Sequence, residues 1–338
     1  MFPFTHVSVI KGPVDLVAAV PYLLGFHPRD CLVCIGVDNG AVNVAAHLRL
    51  PAAPDTGPDW ATAVRVIAAE GQQVLLLGYG SADDVESELT ASAVVMTAAG
   101  IEVIAAVRVH AGRIFCLGSG CGCSPDGIPF DPDASTVPAE ATLHGIAPLP
   151  DRDAVDKLLD PITGADRDRM RAASVTALRQ LLQSLSAGTP PRTGLTLAAM
   201  LAAGPPRHVI SGGITAVRDA FAAAARGQTL TDDAVAWLGA VLLIPDVRDY
   251  GYRASDGSDP HRALWIDVTR RAIGVTAAAP ACLLAITAYF DGDGALAATA
   301  IRRSLNIDPH PPMARLVARL LRAGVAPAEF RQAMTGHS

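Results

Sequence analysis

Lysine is nearly missing from this chain: Lys11 and Lys157 are the only two among 27 basic residues, and the rest are arginine. Beside so much alanine, that bias reads as a GC-rich coding preference and not as phosphate recognition. The bases are outnumbered by 33 acids, for a formal net charge of -6. That balance excludes bulk attraction to nucleic acid or to anionic lipid, so neither is expected as a partner. Cysteine is scarce too, with 6 in 338 residues, which excludes a disulfide scaffold. The N-terminus lacks a basic start, an apolar core and a small-residue cleavage site, so the expected location is the cytoplasm. The longest mostly apolar stretch, Thr276–Phe290, contains Pro280 and is too short for a bilayer; it reads as a buried helix. Several catalytic signatures are missing as well. There is no P-loop, no Gly-x-Gly-x-x-Gly opening a helix, no Gly-x-Ser-x-Gly elbow and no His-Glu-x-x-His.

What is present describes a globular chain. Half of the residues are apolar and 18% are charged, and the length suffices for two domains. A short strand is expected around Val7–Ile10. Pro13 then suits a first helical turn, Asp15 favours the positive helix end, and Gly25 supplies a left-handed stop. Leu32–Val37 is a strand-length apolar run. Asn39-Gly40 signals a hairpin into the alternating run Val42–Leu50. A helix near Asp59–Ala69, a covered strand over Gln73–Tyr79 and a helix over Ala82–Ala99 follow. Ile101–Val109 and Arg113–Leu117 read as strands joined at Ala111-Gly112. The alternation argues for an α/β layer domain with a mixed sheet over residues 1–150. Its last part, 118–150, is a long irregular connection rich in Cys, Gly and Pro.

From Asp151 onward the pattern is helical, giving an all-helical domain over 151–338 and an α+β protein as a whole. The candidates run from Asp151–Leu159 to Pro327–Met334. Ser211-Gly212-Gly213 reads as a turn before a helix over Ile214–Ala225, and Pro245–Tyr252 as a connection between helices. Phe290–Ala297, with Ala300, Ser304-Leu305 and Asp308-Pro309, resembles part of a tetratricopeptide hairpin. Small alanines at helical spacing allow close packing there, and one such unit is fewer than a solenoid needs.

Several separated motifs occur in an order that resembles an actinobacterial family labelled domain of unknown function 4192. They are Leu16 to Pro28, Arg113, Cys116, the Cys121/Cys123 cluster, Pro125, Gly127, Pro129, Ala139-Glu140-Ala141 and Gly145 to Arg152. Asp246 to Asp249, Leu264-Trp265, Pro280-Ala281, Gly292 to Ala297, Asp308-Pro309 and Gly324 continue the series. The family pattern has adjacent cysteines before proline, whereas here Gly122 separates Cys121 from Cys123 and Ser124 precedes Pro125. The resemblance implies no substrate, cofactor or catalytic residue.

Three clusters are candidates for chemistry. Cys116, Cys121 and Cys123 would supply three zinc ligands, with His144 as a fourth, or a local redox pair; incidental thiols are the plainer alternative. Gly25–Asp30 places His27 as a base or ligand and Arg29 as an anion clamp in one turn, against a purely structural turn. Arg248-Asp249 would bind a carboxylate or phosphate, or else tie two helices together. Cys31 and Cys34 have a redox-motif spacing but start a strand, which points them to opposite faces; buried thiols are expected.

The expected function is a non-catalytic binding or adaptor protein that holds a protein partner or a small molecule. One alternative is an enzyme acting on a small anionic metabolite at a cleft between the domains. Another is a zinc-stabilised structural protein.

Overall fold

The structure is a computed structural model that describes residues 12–50, 60–117, 124–187 and 196–335. The strand expected around Val7–Ile10 lies outside the described residues. The chain divides into two compact units, 1–155 with 320–330 and 156–319 with 331–338. The α+β class stands.

In the first unit, α1 (Pro13–Leu24) opens on a proline, whose missing N–H costs nothing in a first turn. It stops at Gly25, which takes φ 76°. β1 (Cys31–Asp38) and β2 (Ala41–Arg49) form an antiparallel hairpin. Its turn residues Asn39 and Gly40 both have positive φ, 50° and 78°, which matches the right-handed twist of the flanking strands. α2 (Trp60–Glu70), β3 (Gln73–Tyr79), α3 (Ala82–Ala98) and β4 (Glu102–His110) follow. The second hairpin turns at Ala111-Gly112 into β5 (Arg113–Cys116), and β6 (Ile128–Pro129) completes the edge. The order is β2-β1-β3-β4-β5-β6, with β3 and β4 parallel across α3 and the other pairs antiparallel.

The first seven residues of β1 are buried, so both faces of this strand are covered. On one face Leu32, Cys34, Val74 and Leu76 pack with Ala63 and Ile67 of α2 and with Val85, Leu89 and Met96 of α3. Gly78 lets α3 sit hard against β3, because a Cβ there would lie 2.1 Å from Val85 Cγ1. Residues 124–150, the described part of the connection expected over 118–150, are less irregular than expected. Among the described ones are β6, a 3-10 turn at Pro132–Ala134 and α4 (Val137–Leu143). α5 (Arg152–Lys157) then begins beyond Asp151.

The second unit is helical: α6 (Gly164–Ser186), α7 (Leu197–Ala202), α8 (Arg207–Ala225), α9 (Asp232–Val241), α10 (Pro245–Ala254), α11 (Asp259–Arg271), α12 (Ala278–Asp291) and α13 (Gly294–Ile307). α14 (Pro312–Ala323) and α15 (Pro327–Thr335) close the chain, and both units draw on them. α12 is the centre, buried at every residue from Ala278 to Phe290. With the 3-10 turn before it, Gly274–Asp291 is long and apolar enough to cross a membrane, longer than the sequence reading allowed. It is 83% buried inside the fold, as a core helix is. Gly292, at φ 86°, ends α12, and the Asp293 carboxylate accepts the Leu296 N–H to start α13. These two helices pack on each other as a helical hairpin.

Two expectations are corrected. Ser211-Gly212-Gly213 is no turn; it lies inside α8. Gly213 is there for close approach, since a Cβ would meet Val247 Cγ2 at 2.6 Å. Pro245–Tyr252 is no connection but most of α10, entered through Pro245 at its first turn.

Candidate functional site

A cleft of about 320 Å³ opens in the first unit, lined by His27, Arg29, Asp30, His47, Arg49, Leu50, Asp151, Arg152 and Asp153. Three chain segments build it. The first is the turn after α1. Phe26 makes a parallel bridge to Leu149, the His27 N–H donates to the Leu149 carbonyl at 2.9 Å, and the Leu149 N–H donates to the Gly25 carbonyl at 2.8 Å. The turn is thereby pinned to the segment that enters α5. Asp30 then takes φ 46°, a left-handed conformation that Asp tolerates better than most residues, and swings the chain into β1.

The second segment is the end of β2. Its alternate residues Val44, Ala46 and Leu48 pack toward the α2–α3 core. Period two therefore puts His47 and Arg49 on the opposite face. The Phe26 ring meets the His47 ring edge-on, with centroids 5.1 Å apart. Burial, then the charges of Arg152 and Arg49, push His47 down to about 4, so the imidazole is neutral at neutral pH.

The third segment is the start of α5. The Asp151 carboxylate accepts the Ala154 N–H at 2.8 Å, which fixes the helix entry. Asp153 pairs with Arg49 at 3.1 Å, but both side chains are well exposed. Such a pair is worth about 0–1 kcal/mol and yields readily to a better partner. Arg29 and Asp30 are exposed and, among the described residues, their side chains make neither a hydrogen bond nor an ion pair.

The sequence candidates divide between the units. His27 and Arg29 line the cleft. Arg248 and Asp249 sit on α10 of the second unit, with Asp249 exposed and Arg248 half-buried beside Tyr252 and Cys282. The Arg248 Nε is buried without a hydrogen-bond partner among the described residues. Cys116 is half-buried at the end of β5. Cys121 and Cys123 lie outside the described residues. Among those that are described, no group of three or more His, Cys, Asp or Glu is placed to hold a metal ion. Cys31 and Cys34 are buried, and burial pushes both thiols up to about 12.

Sequence reasoning missed His47, Arg49, Asp151 and Arg152. The alternation of β2 carried a signal for the first two, since a His and an Arg fall on the face away from its apolar residues. The bridge from Phe26 to Leu149 spans most of the unit and leaves no local trace.

A family model described as a domain of unknown function (DUF4192) matches residues 13–328. The chain belongs to that family. No curated protein and no solved structure matches it.

Proposed function

We propose that this chain is a non-catalytic binding protein and that the cleft of its first unit holds a small anionic ligand. The observation that carries this reading is the convergence of Arg29, Arg49 and Arg152 on one cleft, from three segments. Burial first, and then Arg152 and Arg49, hold His47 neutral, so its ring is available as a hydrogen-bond partner. Two of the three carboxylates on the wall are already engaged, Asp151 in capping α5 and Asp153 with Arg49. Arg29 stands ready, and a guanidinium matches a carboxylate or a phosphate in two-point geometry. The volume is at the small end of ligand pockets, about 300–1,000 Å³, and the lining is polar apart from Leu50. Both features favour a compact, charged metabolite.

The test is calorimetric titration of the full chain with succinate, glutarate and phosphate, repeated on Arg29→Ala. A hydrogen bond to a charged group is worth roughly 1.5–3 kcal/mol, so the variant loses about 10- to 100-fold in affinity. Arg29 is exposed and unpaired among the described residues, so the melting temperature stays put. Binding that survives Arg29→Ala unchanged would remove the proposed clamp.

A further inference from the structure

We infer that the ligand of this cleft is zwitterionic, carrying an ammonium as well as a carboxylate as an amino acid does. The inference rests on the binding reading above and names the ligand class for the same site. Its basis is the pair Arg29 and Asp30. Both line the cleft. They are neighbours in sequence and carry opposite charge, yet they pair neither with each other nor with any other described residue. The other two carboxylates are committed, Asp151 to the Ala154 N–H and Asp153 to Arg49. Among the described residues of the cleft, Asp30 is therefore the carboxylate left over and Arg29 an uncommitted cation.

A purely anionic ligand would meet Asp30 as a like charge. A purely cationic one would face three guanidiniums. A molecule with both charges satisfies Arg29 with its carboxylate and Asp30 with its ammonium, and leaves neither unpaired. The His47 ring lines the same cleft and offers a hydrogen-bond partner to a polar side chain. Leu50 offers little to a large apolar one.

The experiment uses matched probes that differ only in the amine: L-aspartate against succinate, L-glutamate against glutarate, glycine against acetate, and the remaining common L-amino acids against their deaminated acids. Each is titrated calorimetrically into the full chain and into Asp30→Asn. Asn is chosen because it also tolerates the left-handed conformation that Asp30 adopts at φ 46°. The expected result is that at least one amino acid binds the unmutated chain about tenfold or more tighter than its matched acid. In Asp30→Asn that preference disappears while the acids bind equally well or better, since a like charge is gone. Acids that bind at least as tightly as every amino acid would overturn the inference and leave the anion reading standing. So would a preference that survives Asp30→Asn. Absence of binding by acids, phosphate and amino acids alike would overturn both. A preference missing from the unmutated chain overturns the inference whatever the stability of the variant.

Discussion

His47 offers a direct probe of the electrostatics on which the cleft reading stands. In the unfolded chain this imidazole takes up a proton near its ordinary 6.5, whereas in the fold it does so only near about 4. Between those values the unfolded chain holds a proton that the folded one refuses. Folding stability from this group is therefore intact above pH 6.5, drains away as the pH falls, and is fully lost below about pH 4. At about 1.4 kcal/mol per pH unit, the interval is worth about 3 kcal/mol. The causes, in order, are burial, Arg152 and Arg49. Burial predicts a depressed value on its own; the arginines predict that it recovers when one of them is neutralised. The assay is an NMR titration of the His47 ring protons in the unmutated chain and in Arg152→Gln, with urea unfolding at pH 7 and pH 4 on the chain and on His47→Gln. The ring signal should hold its neutral position down to about pH 5, and the titration should move upward in Arg152→Gln. Between the two pH values the chain should lose about 3 kcal/mol more than His47→Gln does. Titration near 6.5 in the folded chain would mean that neither burial nor the arginines act on this ring, and no movement in Arg152→Gln would mean that Arg152 exerts no field on it.

Three further outcomes follow from packing and burial. Gly78→Ala should destabilise the first unit by about 1–3 kcal/mol in thermal unfolding, because the added Cβ falls 2.1 Å from Val85 Cγ1 and 2.6 Å from Leu89 Cδ1. Cys31, Cys34 and Cys282, all buried and each pushed up to about 12 by burial, should resist iodoacetamide at pH 8 in the native chain and react once it is denatured. Arg271→Ala should lower the melting temperature clearly. This half-buried guanidinium joins Asp232 at 2.6 Å, Asp267 at 2.8 Å and the Leu230 carbonyl at 2.9 Å, and so ties the start of α9 to the end of α11.

The parts of the fold that were legible in the sequence are those whose cause is local. Asn39-Gly40 and Ala111-Gly112 turn their hairpins because both pairs adopt positive φ, and Gly25 and Gly292 stop helices for the same reason. Gly213 shows where local reading fails. A Ser-Gly-Gly run looks like a turn, but Gly213 lies inside α8 to admit Val247 from another helix, a reason that only tertiary packing reveals. Pro245 behaves alike: it opens a helix short enough to pass for a loop. At the site, His27 and Arg29 were legible because they share one turn. Arg49 and Arg152 were not, because what gathers them is the pairing of Phe26 with Leu149 and of Arg49 with Asp153.

The most direct test of the central claim is a spectrum of the nitrogen-15-labelled chain titrated with succinate, L-aspartate and phosphate. The account predicts saturable shifts concentrated at His27, Arg29, Asp30, His47, Arg49 and the start of α5, with the second unit unmoved. Shifts centred elsewhere, or none at millimolar ligand, would contradict it.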